Sequence, residues 1–459
     1  MTTQILAPDL LELLRKNDLE SLQEFCSNEH PRSVADHLSA LSPKDIWRVL
    51  HNLDAELAAE IFSHFDDDLQ IEIADTLSQG DLVELITEMP PDERADLFKQ
   101  IPVERQEKIL RALAQAERED IRRLAAYEEG TAGAVMTSDY ASLSPQITAG
   151  EAIERLRHEA PDKETIYYAY VVDQARRLLG FISLKDLILA DPNTPLEEIM
   201  HREVISVRVD DDQEDAARKI QKYDLIALPV INGSDALVGI ITHDDALDVI
   251  TQEQTEDMEK MMAIGGSHEA GVYLGTSAWT HFKNRAAWIV GLAALEVVSG
   301  WIIHSYEATL SHLMILALYM PMVADTGGNT GSQSGTVVIR ALALHEISPK
   351  DLFKVLFKEL KISLLLAAVL GVLSAGKVLF LSHSSVIPSG FNLIRISEVI
   401  GVALAAQVVT ATLVGALLPM GAAKLKLDPA VVASPALTTV VDITGLLIYF
   451  TTAKLMLGI

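Results

Sequence analysis

The sequence predicts a multidomain protein that combines an all-α N-terminal superhelix, a duplicated α/β segment and an α-helical membrane domain with five transmembrane helices. Three observations predict this fold class. Apolar residues recur every twelve positions in the first part of the chain, a longer segment is repeated once in the middle, and five apolar runs of membrane-spanning length follow. The chain is therefore expected to divide between water and a lipid bilayer.

Charge is distributed unevenly between these parts. Residues 1–283 carry 56 acidic and 26 basic side chains, a net charge of −30, whereas residues 284–459 carry 9 acidic and 11 basic side chains, a net charge of +2. An acidic soluble part repels nucleic acid and attracts cations, so nucleic acid is not expected as a partner. The single cysteine, Cys26, excludes an internal disulfide framework and a thiolate metal cluster.

The twelve-residue repeat predicts short helices that stack on one another. Residues that favour a helix start stand between the apolar positions of successive repeats. They are the good N-cap residues Ser42, Asp54, Asp66 and Ser78 and the first-turn prolines Pro90 and Pro102. Units of this size cannot bury an apolar face alone, so a superhelix is expected over residues 5–127, within a domain assigned to 1–128. Its acidic side chains suit a solvated face equally well. The apolar position that marks the repeat is occupied by Leu41, Leu53, Phe65, Leu77, Met89 and Ile101.

A longer duplication follows the superhelix. Met136 and Ser142 recur 64 residues later as Met200 and Ser206, and each copy has the pattern strand, helix, strand, strand, helix. The motif G-F-I-S-L-K-D-L in the first copy matches G-I-I-T-H-D-D-A-L in the second. On these motifs the segment resembles a tandem pair of CBS domains over residues 129–252.

The resemblance to CBS domains implies a nucleotide contact at the start of a helix. In that family a Ser/Thr-x-x-Asp motif holds the ribose of an adenosine nucleotide, so Asp186 and the nearby Tyr168 are candidate contacts for ATP. The same spacing, from Ser183 to Asp186, is that of a plain capping box, and both interpretations stand. Lys185 occupies a position at which nucleotide-binding members can carry arginine.

The second copy and the helix after it are rich in acidic residues. Helix capping alone does not explain so many carboxylates. A helix is expected from about residue 245 to residue 265, and residues 253–283 are assigned as a connecting plug helix. Mg²⁺ is bound by carboxylates and water, and apposed acidic faces repel each other until a cation bridges them. The pattern indicates either domain contacts that depend on a divalent ion or a surface kept soluble by its charge.

The second apolar run contains a polar stretch, P-M-V-A-D-T-G-G-N-T-G-S-Q, at residues 321–333. Lipid leaves backbone amides without partners, so a glycine-rich break at this depth is expected only where it is buried in protein or lines a watery cavity. Asp442 places a carboxylate inside the last apolar run. A charge within a membrane segment is energetically costly, which indicates that this residue has a functional role. Alternatively, Gly327, Gly328 and Gly331 only allow close helix packing and Asp442 bonds a neighbouring helix. The runs cover residues 286–304, 310–342, 362–381, 399–418 and 431–456 of a domain assigned to 284–459.

Basic residues flank the apolar runs on one side of the membrane. They precede the first run and occupy the connections between the second and third and between the fourth and fifth, which places the N-terminal domains in the cytosol and the C-terminus outside. Lys377 and Lys454 lie near the outer ends of their runs, and the polar groups further inside, Gln407 among them, are carboxylates, carboxamides and hydroxyls, with no mid-span arginine or histidine. Such oxygen ligands suit a hard cation rather than an anion. Glu296, in the first run, has no role that a motif assigns.

The order of these parts is similar to that of the MgtE family of magnesium channels over essentially the whole chain. The resemblance is carried by residues 321–333, by K-L-D-P-A-V-V-A-S-P at residues 426–435 and by V-V-D-I-T-G-L-L-I-Y-F at residues 440–450. It implies a homodimer in the lipid of a bacterial inner (plasma) membrane. Its pore would lie on the dimer axis, between the second and fifth membrane helices.

The resemblance also implies which residues meet Mg²⁺, both as the transported ion and as a regulatory ion. Asp442 of each subunit would hold a largely hydrated Mg²⁺, Asp428 would be a second membrane-domain carboxylate, and Mg²⁺ between the cytosolic domains would draw the plug helices closed. The residues that would line the pore are Asp325, Gly328 and Asn329. The regulatory positions are Glu60, Asp92 and Asp96 in the superhelix, Asp212, Glu214 and Asp224 in the second CBS copy, and Asp245, Asp248, Glu253, Glu256 and Asp257 on the connecting helix.

Other functions fit parts of the same pattern. A channel or carrier for another divalent cation, such as Co²⁺ or Mn²⁺, would use the same oxygen ligands. A nucleotide-sensing scaffold would use the CBS pair without conducting ions, and an anion transporter is disfavoured by the acidic lining. No catalytic constellation occurs in the sequence, so an enzyme is not expected.

Overall fold

A computed structural model describes residues 7–160, 163–266, 273, 276–432 and 434–458. The chain forms two compact units, the first extending to Thr251 and the second beginning at Gln252. The first unit contains the superhelix and the duplicated α/β segment, and the second contains the long apolar helices.

Ten short helices follow one another within residues 7–124 and form the predicted superhelix. Each central helix packs mainly on the helix two positions further along, so the apolar positions of the repeat meet in one continuous core. Leu41, Phe65, Met89 and Ile101 are all buried in it. The helices are α1 Ala7–Lys16, α2 Leu19–Asn28, α3 Pro31–Leu38, α4 Pro43–Leu50, α5 Ala55–Ser63, α6 Asp67–Thr76, α7 Gln79–Glu88, α8 Pro91–Gln100, α9 Val103–Ala112 and α10 Gln115–Leu124.

The residues between the repeats start these helices as the sequence predicts, with two differences. Ser42 and Ser78 occupy N-cap positions, and each hydroxyl accepts a hydrogen bond from a backbone N–H of the first turn at 3.3 and 3.2 Å. Asp54 is also an N-cap residue but makes no side-chain cap bond. Pro90 and Pro102 stand at the N-cap itself, one residue before the first turn in which they were expected.

The duplicated segment folds into two copies of one α/β unit, each with a three-stranded sheet. In both copies the first and second strands are parallel and the second and third are antiparallel, in the order that the sequence predicts. The first copy comprises β1 Tyr140–Leu143, α11 Ala149–Glu159, β2 Thr165–Val172, β3 Leu178–Ser183 and α12 Leu184–Leu189, and α13 Leu196–Ile199 follows it. The second comprises β4 Val207–Arg208, α14 Gln213–Tyr223, β5 Ala227–Ile231, β6 Leu237–Thr242 and the start of α15 His243–Met261.

Buried tyrosines connect the two copies. The hydroxyl of Tyr140 donates to the carbonyl of Leu237 at 2.9 Å, and that of Tyr170 donates to the carbonyl of Ala227 at 3.4 Å. Burial leaves a tyrosine hydroxyl in need of a partner, and the facing copy supplies one in both cases. The pair therefore folds as one body with a cleft between its copies.

Helix α15 is shorter than the sequence predicts. It begins at His243, directly after β6, and ends at Met261 rather than near residue 265. The next long helix begins at Ala278, so the segment assigned to 253–283 is not a single helix. Residues 267–272, 274 and 275 of this segment lie outside the described residues.

The second unit contains five helices of 24 to 32 residues, in agreement with the five membrane helices expected. Among the described residues, four helical segments are long and apolar enough to cross a membrane. The remaining long helix, α18, has sufficient length at 29 residues, but its polar stretch makes it less apolar. The helices are α16 Ala278–Ser305, the short α17 Glu307–His312, α18 Ile315–Ala343, α19 Leu352–Leu381, α20 Leu393–Lys424 and α21 Ser434–Leu457.

The expected break within residues 321–333 is wrong, because α18 runs through this stretch without interruption. An unbroken helix satisfies its own backbone N–H and C=O groups, which is the requirement that lipid imposes. The glycines instead allow close approach of neighbouring helices. A Cβ atom on Gly415 of α20 would overlap the backbone carbonyl of Gly331 on α18, and one on Gly335 would meet Leu437 of α21 at 3.2 Å.

This packing predicts that Gly415→Ala destabilises the membrane unit. The added methyl group must push α20 away from α18, and overpacking of this kind costs about 1–3 kcal/mol. We expect a lower thermal unfolding midpoint for the full-length protein in detergent. Gly421→Ala on the same helix is the matched control, because a Cβ atom there meets nothing within 4 Å. Equal midpoints for the two variants would contradict the assigned contact.

Candidate functional site

A polar face lies on α18, among helices that are otherwise apolar. Asp325 and Asn329 are four residues apart and therefore share one face of this helix. Both are exposed in the single chain, and the Asn329 amide donates to the Asp325 carboxylate at 3.3 Å. A carboxylate directed at lipid is costly, so this face requires water, a cation or a second protein surface.

Asp442 lies half-buried on α21, and two other carboxylates act on it. The negative charges of Glu296 on α16 and Asp325 on α18 both repel the Asp442 carboxylate. We call Glu296, Asp325 and Asp442 the membrane carboxylate group. The structure thus gives Glu296 a place beside the predicted ion site, whereas no sequence motif pointed to it.

Gly328 does not lie on this exposed face. It is buried, and a Cβ atom at this position would meet the methyl group of Thr438 on α21 at 3.4 Å. Within the chain it is a packing residue between two helices, and its place in the lining of the pathway stays a prediction. The residue that follows it, Asn329, carries the exposed amide.

Gln407 of α20 forms a hydrogen bond to α21, the helix that carries Asp442. Its side chain is fully buried, and Nε2 donates to the carbonyl of Val441 on α21 at 2.8 Å. Gly327 and Gly445 make room for it, because a Cβ atom on either glycine would overlap the Gln407 side chain. The contact fixes α21 at the residue next to Asp442. The Oε1 atom of Gln407 is buried with no hydrogen-bond partner among the described residues.

A buried carboxylate that sequence reasoning missed lies on α19. Glu359 is only 7% exposed, and it accepts a hydrogen bond of 2.9 Å from the Ser334 hydroxyl on α18. The signal was obscured because Glu359 falls in a stretch rich in lysine that reads as a connection between membrane runs. In the structure this stretch forms the first turns of α19, and Glu359 ties them to α18.

Asp428, expected to meet Mg²⁺, is paired with a lysine of the same unit. Its carboxylate lies 3.0 Å from Nζ of Lys260 on α15, and that ammonium also contacts Glu256. The backbone N–H of Ala430 donates to the other Asp428 oxygen at 2.8 Å. The Lys260 ammonium therefore supplies the positive charge between Glu256 and Asp428 in this structure.

In the first unit, carboxylates of the superhelix, the first CBS copy and α15 face one another. Asp92 and Glu93 start α8, Glu164 precedes β2, and Asp245 starts α15. We call these four residues the cytosolic acidic group. One oxygen of Asp92 is buried without a hydrogen-bond partner, while Asp245 receives a bond from the Thr242 hydroxyl. Sequence reasoning found Asp92 and Asp245 but missed Glu93 and Glu164, because neither stands in a recognisable motif.

Burial and mutual repulsion raise the pKa values of this group. Burial, followed by the charges of Asp245 and Glu93, raises the pKa of Asp92 well above its usual range. Burial, followed by Asp96 and Asp245, raises the pKa of Glu93 to about 8, and burial with Asp245 raises that of Glu164 to about 7. Burial raises the pKa of Asp245 to about 6, although its bond from Thr242 opposes the shift. Ionised together, these carboxylates push the elements apart.

The other predicted regulatory residues have different surroundings. Asp248 is exposed on α15, and its charge also acts on Glu93. Asp96 has a half-exposed side chain that pairs with Lys99 at 2.8 Å, and Glu60 is exposed on α5, where its charge acts on His64. Glu253 and Asp257 lie on α15 within the second unit, and each has an interaction partner.

Three predicted residues have local structural roles at the two ends of α14. Asp212 is its N-cap residue and accepts from the N–H of Glu214 at 2.8 Å. Glu214 pairs with Arg218 one turn further on, and Asp224 ends the helix in a left-handed conformation at φ 51°. Asp212 and Glu214 thus have partners within α14, whereas Asp224 acts through its backbone conformation at the end of the helix.

The cleft between the CBS copies has a volume of about 110 Å³ and aromatic walls. Tyr168 and Phe181 line it from the first copy, and Ile205 and Pro229 line it from the second. Asp186 does not line this cleft. Its carboxylate accepts a 2.5 Å bond from the Ser183 hydroxyl in a complete capping box, and it contacts a ring nitrogen of His201 at 3.1 Å.

Neither acidic group forms a closed metal site. Across the residues that the structure describes, no three Asp, Glu, His or Cys side chains converge tightly enough to hold a metal ion. Mg²⁺ keeps several water ligands and uses one or two carboxylates, so a loose arrangement of carboxylates remains compatible with a hydrated ion.

Comparison with known protein families assigns all three parts of the chain. The family model described as divalent cation transporter, MgtE, matches residues 320–452, and that of the MgtE intracellular N domain matches residues 29–130. The CBS domain model matches residues 132–193 and 196–252. The tandem CBS pair expected from the sequence is thereby confirmed.

Two curated relatives cover most of the chain. The magnesium transporter MgtE of Thermus thermophilus is 42% identical over 337 residues, which is 73% of this chain and 72% of the relative. The magnesium transporter MgtE of Enterococcus faecalis is 36% identical over 337 residues, which is 73% of this chain and 71% of the relative.

Solved structures resemble the water-soluble part. The soluble part of a magnesium transporter is 34% identical, with a TM-score of 0.51, and covers 54% of this chain and 97% of its own. The cytosolic domain of the Mg²⁺ channel MgtE in complex with ATP is 40% identical, with a TM-score of 0.50, and covers 53% of this chain and 100% of its own.

Because the cytosolic acidic group holds protons in the folded state, we expect the stability of the folded protein to fall as pH rises. A folded-state pKa of about 8 for Glu93, above its ordinary value of 4.5, means that the folded protein holds this proton more tightly than the unfolded chain does. Stability therefore decreases between about pH 5 and pH 8 and stays reduced above it. We expect Glu93→Gln to flatten this decrease and to raise the unfolding midpoint of the full-length protein at pH 8.5 in EDTA.

The exposed Glu104→Gln variant on α9 is the control, since it removes the same charge outside the group. At pH 8.5, Mg²⁺ should raise the midpoint of the control more than that of Glu93→Gln. A pH dependence that is identical in the two variants would show that Glu93 is not strained by its neighbours.

Proposed function

The chain belongs to the MgtE family of magnesium transporters, and we propose that it is a Mg²⁺-selective channel that imports Mg²⁺ across the inner (plasma) membrane. Transport is not an enzymatic activity, in keeping with the absence of a catalytic motif from the sequence. We further propose that cytosolic Mg²⁺ closes the channel by binding at the acidic surfaces of the water-soluble domains.

The exposed polar face of α18 is the observation that carries the proposal. Asp325 and Asn329 stand open to the outside of the chain on a helix whose other faces pack against α20 and α21. If lipid covered this face, an ionised carboxylate would lie in hydrocarbon at a cost of several kcal/mol. A homodimer in which two such faces enclose a water-filled path removes that cost.

The chemistry of this path suits a hydrated divalent cation. Its donor atoms are the oxygens of the membrane carboxylate group and of Asn329, and oxygen ligands are preferred by Mg²⁺ over nitrogen or sulfur. Three carboxylates that repel one another are stabilised more by a divalent cation than by a monovalent one. Co²⁺ and Mn²⁺ also accept oxygen ligands, so competition between ions during uptake distinguishes these alternatives.

The proposed closure by Mg²⁺ rests on the repulsion between the carboxylates of the cytosolic acidic group. Asp92 carries a buried oxygen without a partner, and its neighbours Glu93, Glu164 and Asp245 share the same repulsion. These residues fit a hydrated Mg²⁺, which would offset the repulsion and favour the state in which the superhelix, the CBS pair and the start of α15 are in contact. An ion that binds one state better than another shifts the population toward it.

Near its C-terminal end, α15 contacts the loop between α20 and α21. Lys260 pairs with Asp428, beyond the cytosolic end of α20, so α15 is connected to the loop that precedes α21. We propose that this helix is the plug and that movement of its start, set by Mg²⁺ at Asp245 and Asp248, is transmitted along it. Asp428 would receive Mg²⁺ only when Lys260 withdraws.

The CBS cleft fits part of an adenosine nucleotide. Its aromatic rings offer a stacking surface for a base, while none of its described lining residues is a lysine or arginine that would meet phosphates. We propose that ATP, which a related cytosolic domain binds, places its base here. A scaffold that senses nucleotide without conducting ions is the second candidate, favoured only by this cleft.

Orientation is proposed from the basic residues. Arg340, Lys350 and Lys424 lie at one side of the membrane helices, and by the positive-inside rule this side faces the cytosol. The N-terminal domains are then cytosolic and the C-terminus lies outside.

Asp442→Asn tests the proposed pathway. The substitution keeps the shape of the side chain and removes the charge that attracts the cation, so we expect the initial rate of Mg²⁺ uptake into liposomes to fall about tenfold or more, as for the loss of about 1.4 kcal/mol. Glu307→Gln, exposed outside the long helices, is the control for charge removal. Uptake at the control's rate by folded Asp442→Asn protein would exclude Asp442 from the path.

A further inference from the structure

An apolar groove crosses the outer surface of the membrane unit between α19 and α20. Its volume is about 530 Å³, and its lining is almost wholly aliphatic and aromatic. Phe353, Phe357 and Leu360 form one wall, and Leu413 and Leu417 form the other. Phe353 is 82% exposed and Phe357 is 59% exposed. The groove is therefore an open slot that no other part of the described chain fills.

Lysines border this groove. Lys358 and Lys361 follow Phe357 and Leu360 along α19, and Nζ of Lys361 lies 4.3 Å from the centre of the Phe357 ring. Both lysines are exposed, and no carboxylate lies within 4.0 Å of either one in the described part of the chain. Lys354, in contrast, is already paired with Asp351 at 2.8 Å.

We propose that this groove binds an anionic phospholipid, with an acyl chain along the slot and the phosphate at Lys358 and Lys361. The groove covers the first turns of α19, the end at which its lysines cluster, and so lies where headgroups meet the first methylene groups. Basic pockets between membrane helices are known recognition sites for anionic headgroups. A second copy of the chain would bring a second lysine row against this one, which disfavours a symmetric protein contact.

A hydrogen bond connects one wall of the groove to the helix that carries the polar face. Glu359 lies between Lys358 and Leu360 in sequence but on the buried face of α19, where it holds Ser334 of α18. A lipid that fills the groove would contact both α19 and α20. It thereby supports the helix that carries Asp325 and Asn329.

Thermal unfolding of the full-length protein in detergent tests this proposal. Added phosphatidylglycerol should raise the unfolding midpoint more than an equal amount of phosphatidylcholine, because a ligand that binds only the folded state stabilises it. The double variant Lys358→Gln/Lys361→Gln should lose this difference. Lys377→Gln/Lys454→Gln is the matched control, since both lysines are exposed on α19 and α21, outside the groove.

A second variant tests the slot independently of charge. Leu413→Trp fills the groove while keeping both lysines, so it should also reduce the effect of phosphatidylglycerol. Retention of the full difference by the lysine variant, or equal stabilisation by the two lipids in the unmodified protein, would overturn the proposal. A groove that instead joins two copies would be revealed if Leu413→Trp lowered the oligomer mass while leaving the lipid difference intact. The readout does not depend on transport, so it can fail independently of the proposed channel function.

Discussion

The cost of a carboxylate among apolar helices is the constraint on which the arrangement of the membrane unit depends. A charge of this kind is stable only beside water, a cation or a compensating group. Asp325 stays exposed on α18 next to Asn329, and Asp442 is half-buried beside it. Behind this polar face the helices are packed as tightly as their backbones allow, with Gly331 against Gly415. The unit therefore has one closely packed side and one polar side.

The same electrostatic constraint acts in the water-soluble unit with a different consequence. There the carboxylates of Asp92, Glu93, Glu164 and Asp245 are partly buried near one another, and their pKa values are raised first by burial and then by mutual repulsion. A contact that is unstable without positive charge responds to cation concentration. In the proposed channel, the negative charges of the membrane unit would attract the transported ion, whereas those of the soluble unit would make the contact between its elements sensitive to that ion.

The periodic features of the fold could be predicted from sequence because each depends on local rules. The twelve-residue repeat, the duplicated strand order and the apolar runs all have periods that the folded structure keeps. The polar stretch at residues 321–333 was misjudged, because glycine is read as a break when considered alone. Gly331 and Gly327 instead fit a neighbouring helix and Gln407, which only the tertiary structure reveals.

Individual site residues were predictable only where a motif marked them. Asp442 and Asp325 stand out because a charge is rare in an apolar run. Glu359 was hidden among lysines, and Glu164 has no local signal, since its partners come from distant parts of the chain. For Asp428 the motif identified the residue but not its partner, because the ion pair with Lys260 joins distant parts of the chain. Pairings across long sequence separations cannot be read from spacing.

Accessibility to water at Asn329 tests the central claim most directly. The only native cysteine, Cys26, is buried, and burial raises the pKa of its thiol to about 12, so an introduced thiol can be labelled selectively. Asn329→Cys in liposomes should react rapidly with a cationic, membrane-impermeant thiol reagent and be protected by Mg²⁺, whereas Val372→Cys, exposed on α19, should not react. Failure of the Asn329→Cys thiol to react, or reaction that Mg²⁺ does not slow, would contradict a wet path along this face.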